Sequence, residues 1–173
     1  MTETEADDKT TVQTEQTTTP KTAVDSVNAP LSGRILPLTS VSDPVFSSLA
    51  MGQGVAVQPS SNLITAPFDA TVESLFPTGH AIGLKSVEGT ELLIHIGIDT
   101  VKLEGQGFKP LVEQGATVTK GQPLIEFDSS TIKEHGYDNS VIIVVTNTPV
   151  TQEIIVNDSE SVTEKDNLLK VIY

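Results

Sequence analysis

The sequence contains no cysteine, which removes disulfide frameworks, thiol nucleophiles and cysteine zinc sites in one step. No apolar run approaches the roughly eighteen residues that a membrane helix needs. The opening stretch, MTETEADDKTTVQTEQTTTP, has neither the basic start nor the apolar core of a secretory signal. These absences lead to the expectation of a cytoplasmic protein without stable membrane insertion, and the start at Met1 favours a free-standing one. Basic residues are scarce as well, 10 against 23 acidic ones, for a net charge of −13. Such a surface is a poor partner for nucleic acid or anionic lipid, and it would steer a basic protein toward it. A GxxxxGK-type nucleotide loop and a magnesium-binding acidic cluster are also missing. Any phosphoryl chemistry would therefore draw its phosphate from another protein rather than from a nucleotide bound here.

What is present suits one globular domain with a polar extension: 173 residues, 37% of them hydrophobic, with a mean hydropathy of −0.02. Residues 1–25 are rich in threonine, carry six acids and two lysines, and show no helical or strand period. Such a segment cannot bury enough surface to offset its ordering entropy. It is expected to be a disordered acidic tail or linker, dispensable for stability, with the domain proper at 26–173. From Ala29 onward, short apolar runs are broken by glycine and proline, the texture of an all-β protein. Residues 55–57, 92–98, 123–127 and 141–145 are rich in valine and isoleucine, as strands favour. Two short helical pieces are predicted. One starts at Asp43-Pro44, an N-cap followed by proline at the first helical position, and one spans 129–135 and stops at Gly136.

Two internal echoes bear on architecture. Ala29-Pro30-Leu31-Ser32-Gly33-Arg34-Ile35 lines up with Ala66-Pro67-Phe68-Asp69-Ala70-Thr71-Val72, and Val118-Thr119-Lys120-Gly121-Gln122-Pro123-Leu124 with Val162-Thr163-Glu164-Lys165-Asp166-Asn167-Leu168. The economical reading is an antiparallel β-sandwich of two similar halves with short helical segments.

The three histidines can be weighed one by one. On a strand, Leu92, Ile94, Ile96 and Ile98 would form one apolar face turned to the core, leaving Leu93, His95, Gly97 and Asp99 on the other. A surface histidine on a half-exposed strand is the bland explanation of His95. Against it, Gly97 leaves room beside the imidazole, and Leu93 puts an apolar residue on what should be the wet face, as a docking patch requires. His80, after Gly79, taken alone reads as a loop histidine. His135 closes a helix before Gly136, where the helix dipole favours a cation. A neutral imidazole carries one free lone pair and can attack phosphorus to form a phosphoramidate; a second imidazole could donate to the phosphoryl oxygens.

Ala29-Pro30-Leu31-Ser32-Gly33, Ile64-Thr65-Ala66-Pro67, Gly79-His80-Ala81, His95-Ile96-Gly97-Ile98-Asp99-Thr100-Val101, Gly105-Gln106-Gly107-Phe108 and Ile125-Glu126-Phe127-Asp128 together resemble the glucose-family enzyme IIA component of the bacterial phosphoenolpyruvate-dependent sugar phosphotransferase system. The resemblance covers roughly residues 29–173. It implies the β-sandwich called the duplicated hybrid motif and a phosphotransferase component that needs no cofactor. His95 would be the phosphorylated nucleophile, His80 would contact the phosphoryl group, and Thr78 would orient a histidine ring. Val45, Phe46, Met51, Phe76, Leu93 and Val101 would form an apolar docking face, with Asp43 and Asp99 at its rim. The implied donor is the histidine-containing phosphocarrier protein, whose arginines would meet those acids. The implied acceptor is a cysteine on the enzyme IIB domain of a membrane sugar transporter, and regulatory target proteins are further possible partners. Pro44 departs from the family pattern, which has a β-branched residue there.

Two rival classes share features with this chain. One is a zinc metallopeptidase-like protein of the same fold, for which His95-x-x-x-Asp99 has the spacing of a first ligand pair. That site would also need a His-x-His to complete tetrahedral coordination, and the sequence has none. His80 and His95 would at most share a zinc with a partner's carboxylate. The other is a lipoyl or biotin carrier, suggested by Gly115-x-x-Val118-x-x-Gly121-x-x-Leu124, but no hairpin tip with a modifiable lysine in suitable flanks accompanies it.

Overall fold

The computed structural model of the protein describes residues 23–173. Its strands are β1 (Val24–Asn28), β2 (Gly33–Pro37), β3 (Gln53–Pro59), β4 (Leu63–Thr65), β5 (Ala70–Leu75), β6 (Ala81–Ser86), β7 (Glu91–Ile96), β8 (Phe108–Pro110), β9 (Thr117–Val118), β10 (Pro123–Phe127), β11 (Val141–Val145), β12 (Glu153–Val156), β13 (Ser161–Val162) and β14 (Asn167–Ile172). Two short helices, α1 (Pro44–Ser47) and α2 (Ser129–Glu134), start where the capping residues place them. Asp43 accepts the Val45 N–H at 2.9 Å with Pro44 in the first turn, and Asp128 accepts from Ser130 and Thr131. His135 caps the end of α2 and donates from Nδ1 to the Thr131 carbonyl, so its role there is structural.

Every strand pairing is antiparallel. Eight strands form one sheet in the order β13-β2-β3-β11-β7-β6-β5-β9, and two three-stranded sheets, β1-β14-β12 and β4-β10-β8, complete the sandwich. The main core lies between them: Leu84, Leu92, Ile94, Val141 and Ile143 of the large sheet meet Ile64, Leu124 and Ile125 of one small sheet and Val27, Leu169 and Val171 of the other.

The echoes in the sequence correspond to a duplication in space. Asn28 N–H donates to the Pro67 carbonyl at 3.1 Å, and its counterpart Thr65 N–H donates to the Pro30 carbonyl at 2.8 Å. Ala29 bonds the carbonyl of Asp166 and Ala66 that of Gln122, both at 2.9 Å. Across the large sheet, the row Ile35–Val57–Val141 in one half matches Val72–Leu84–Leu92 in the other. Ile94 and Ile143, partners in the central β7–β11 pair, are therefore each other's equivalents and lie on the axis relating the halves.

Two expectations about extent need correction. The expected boundary at residue 25 falls inside β1, whose residues pair with β14 from Val24↔Ile172 onward. Asp25 is buried and accepts a 2.6 Å hydrogen bond from Ser86 Oγ, which itself accepts the Thr90 N–H. A polar composition concealed this because the partners of Asp25 lie 61 and more residues away. The rest of the expected tail, residues 1–22, lies outside the described residues. Second, β7 ends at Ile96 instead of running to Ile98. Gly97 turns at φ +77°, so Ile98 enters a second, smaller cluster with Leu38, Val41, Phe46, Ala56, Ile142 and Val144 on the opposite face of the sheet.

Asp25→Ala is expected to lose about 1–3 kcal/mol, the cost of leaving the buried Ser86 hydroxyl without its acceptor. A denaturation midpoint equal to that of the parent protein would show that the bond contributes nothing.

Candidate functional site

The face of β7 that carries His95 is partly covered, with Leu93 and His95 both half-buried. Ile142, paired with His95 across the β7–β11 seam, is fully buried in the small cluster, and Leu93 packs against it. Phe46, expected on the docking face, is likewise buried at 5% exposure. The single turn of α1 points it inward, where its ring lies 5.2 Å from that of His95. Its neighbour Val45 points out at 51% exposure.

His80 is no surface loop residue: it is 2% exposed and stands immediately before β6, whose first residue Ala81 pairs with His95. Its ring centroid lies 5.0 Å from that of His95, with the rings nearly perpendicular. Phe76 meets the His80 ring at 5.1 Å and Phe108 at 6.4 Å. Gly79, at φ +75°, lets this arrangement close, since a Cβ there would lie 3.0 Å from the Pro110 ring and 3.2 Å from Phe108. Phe108 was not among the site residues expected from sequence. Its only signal was the Gly105-Gln106-Gly107-Phe108 stretch.

Hydrogen bonds set the ring chemistry. His95 Nδ1 lies 2.7 Å from the Gly97 carbonyl oxygen. A carbonyl only accepts, so Nδ1 carries the hydrogen and Nε2 carries the lone pair. Thr78 Oγ1 lies 2.6 Å from His80 Nδ1, the histidine contact expected of Thr78. Burial pushes the His80 pKa down to about 4, and the neighbouring His95 pushes it the same way. Burial also lowers the pKa of His95, opposed by the hydrogen bond to Gly97 and by the carboxylates Asp43 and Asp99. Both rings are therefore neutral near pH 7, which leaves His95 Nε2 nucleophilic.

Around this pair, Met51, Phe76 and Val101 are exposed, as is Asp99, which is held at φ +61°. Met51, Phe76 and Leu93 line one shallow cavity of about 290 Å³. Asp43 is half-buried as the cap of α1. Among the described residues, no three His, Cys, Asp or Glu side chains converge to hold a metal, so the metallopeptidase alternative has no ligand set. No helix among them is long and apolar enough to cross a membrane.

Fold and site together define a duplicated β-sandwich protein bearing a pair of neutral imidazoles in an apolar setting. Comparison with known proteins makes the class specific. Residues 25–151 match the family described as phosphoenolpyruvate-dependent sugar phosphotransferase system, EIIA 1. The chain is 44% identical over 144 residues to the raffinose carrier protein of Pediococcus pentosaceus, covering 82% of this chain and 22% of that protein. It is 49% identical over 121 residues to the glucose-specific EIICBA component of Staphylococcus carnosus, covering 70% of this chain and 18% of that protein. It thus spans about a fifth of the length of these relatives. Among solved structures, glucose permease IIA from Mycoplasma capricolum superposes with a TM-score of 0.74 at 34% identity, covering 86% of this chain and 96% of that one. The chain belongs to the EIIA family of the sugar phosphotransferase system, whose part in sugar uptake is that of a phosphoryl carrier.

The lowered His80 pKa makes a signed prediction. The unfolded chain binds a proton on this residue below about pH 6.5 that the folded chain refuses until about pH 4. The stabilisation is fully present above pH 6.5 and is lost as the pH falls toward 4. Over that window the parent protein should lose more stability than His80→Gln, by on the order of 2 kcal/mol. Parallel slopes in denaturation at pH 7, 5.5 and 4.5 would overturn it.

Proposed function

We propose that His95 Nε2 accepts a phosphoryl group from the histidine-containing phosphocarrier protein and passes it to a cysteine on the enzyme IIB domain of a membrane sugar transporter. The observation that carries this reading is the hydrogen bond from His95 Nδ1 to the Gly97 carbonyl beside a second, neutral imidazole. With Nδ1 holding its hydrogen, Nε2 presents its lone pair to phosphorus. The N–P bond to His95 forms as the donor's N–P bond breaks. In the second half-reaction the acceptor thiolate attacks, the S–P bond forms, and His95 leaves as the neutral imidazole. Thr78 donates its hydroxyl hydrogen to His80 Nδ1, so His80 Nε2 carries a hydrogen to offer the phosphoryl oxygens.

Val45, Met51, Phe76, Leu93 and Val101 supply the apolar contact for both partners, and Asp43 and Asp99 meet basic residues of the donor. Phe46 supports that surface from below. The donor and the IIB domain place the reaction in the cytoplasm, against the inner face of the membrane. Relatives named for raffinose and for glucose match this chain at 44% and 49% identity. The domain therefore serves the transfer step, and choice of sugar belongs to the transporter portion.

The test is incubation with phosphoenolpyruvate, enzyme I and the phosphocarrier, followed by mass measurement for an acid-labile gain of about 80 Da, one phosphoryl group. His95→Ala should abolish labelling with the fold intact, and retained labelling would remove the assignment. In single-turnover assays His80→Gln should still accept phosphate. Onward transfer to the IIB cysteine should slow by about a hundredfold to a thousandfold, the usual cost of one preorganised donor. If His80→Gln lost acceptance while His95→Gln kept it, the nucleophile would be the other histidine.

A further inference from the structure

The carbonyl that fixes the His95 tautomer belongs to Gly97, which has no side chain of its own and sits in the left-handed region. Gly97 accepts from His95 Nδ1 at 2.7 Å. The N–H of that same peptide, on Ile98, donates to the Asp138 carbonyl at 2.9 Å, and the Gly97 N–H donates to the Ser140 carbonyl at 2.9 Å. A peptide unit is planar, so holding its N–H also aims its C=O. Donation from the N–H further polarises that carbonyl and makes it a better acceptor.

The two anchoring carbonyls come from one turn, between α2 and β11, and the Asp138 side chain builds it. Asp138 Oδ1 accepts both the Ser140 N–H at 2.9 Å and the Ser140 hydroxyl at 2.8 Å. Gln58 Nε2, on β3, donates to Asn139 Oδ1 at 2.5 Å and ties the turn to the sheet. The fit allows little play: a Cβ on Gly97 would lie 2.5 Å from Thr100 Cγ2 and 3.0 Å from the Asp138 carbonyl oxygen. Thr100 is in turn fixed by its hydroxyl bond to the Ile96 carbonyl.

We propose that Asp138 is a positioning residue for His95: its carboxylate folds the 138–140 turn that holds the Gly97–Ile98 peptide, and so keeps the hydrogen of His95 on Nδ1 and the lone pair on Nε2. The inference deepens the nucleophile reading and rests on it for its functional consequence. Asp138 acts here as a hydrogen-bond acceptor. The charges facing the His95 ring are those of Asp43 and Asp99, and its neighbour is the neutral ring of His80.

Ring-nitrogen NMR on the full chain, labelled with nitrogen-15 at neutral pH and without phosphate, tests the idea. The parent protein should show His95 as the Nδ1–H tautomer. Asp138→Ala, at an exposed position, should give a mixture of tautomers and slow phosphoryl acceptance from the phosphocarrier by about tenfold, the value of one ordinary hydrogen bond. Asp138→Asn retains an oxygen acceptor without the charge and should recover most of both. Ser140→Ala removes one of the two bonds and should shift the tautomer less, in the same direction. An unshifted tautomer in both alanine variants overturns the proposal, as does an Asn variant as impaired as the Ala one. The tautomer comparison needs no phosphate, so a failure of His95 to accept phosphate would be visible separately and would leave this outcome readable.

Discussion

The pairing of β7 with β11 at the centre of the large sheet is the constraint from which the rest follows. Both strands are buried on the core side by Leu92, Ile94, Ile96, Val141, Ile143 and Val145, and the two sequence halves fold outward from them in mirrored order. Any slip in register would turn every one of these side chains to the other face. Here a slip would also move His95 away from Ile142 and bring the hydrophobic row out of the core. Precision at the histidine is therefore inherited from the packing of aliphatic residues that take no part in chemistry.

The duplication is symmetrical in the sheets and asymmetrical in its side chains. By strand register, the equivalent of His95 is Val144 and that of His80 is Gln53. One half thus carries the imidazoles. The other contributes Val144, Ile142 and Ala56 to the small cluster beneath them. Burial keeps the rings neutral: Phe46 of this cluster lies against His95, Phe76 and Phe108 lie against His80, and the loss of water around the rings disfavours the charged form. Apolar surroundings and exposed apolar neighbours are not in conflict, because Met51, Phe76 and Val101 stand exposed while Phe46 is buried against the His95 ring.

Much of this was legible in the residues themselves. The Ala-Pro and Val-Thr echoes disclosed two halves, since equivalent turns demand equivalent residues. Asp43-Pro44 and Gly136 marked the helix ends through local capping chemistry. The stretch His95-Ile96-Gly97-Ile98-Asp99 singled out the strand that carries the proposed nucleophile, and alternation assigned Leu92, Ile94 and Ile96 to the core. These are local properties of the chain, fixed within a few residues of covalent neighbourhood.

Where contacts span long separations, the sequence was silent or misleading. Strand alternation carried Ile98 into the main core, but the left-handed turn at Gly97 sends it to the other face, beside Phe46 and Val144. Composition assigned Asp25 to the tail, yet Ser86 makes it part of the sheet. Nothing local indicates that Phe108 touches His80, or that Asp138 and Ser140 hold the peptide to which His95 bonds. The amino-acid sequence determined which residues could be strands, turns and nucleophile, because backbone preference and side-chain chemistry are local. Only tertiary structure decided which nitrogen of His95 carries the hydrogen and how dry its surroundings are, because both depend on groups that meet through the fold.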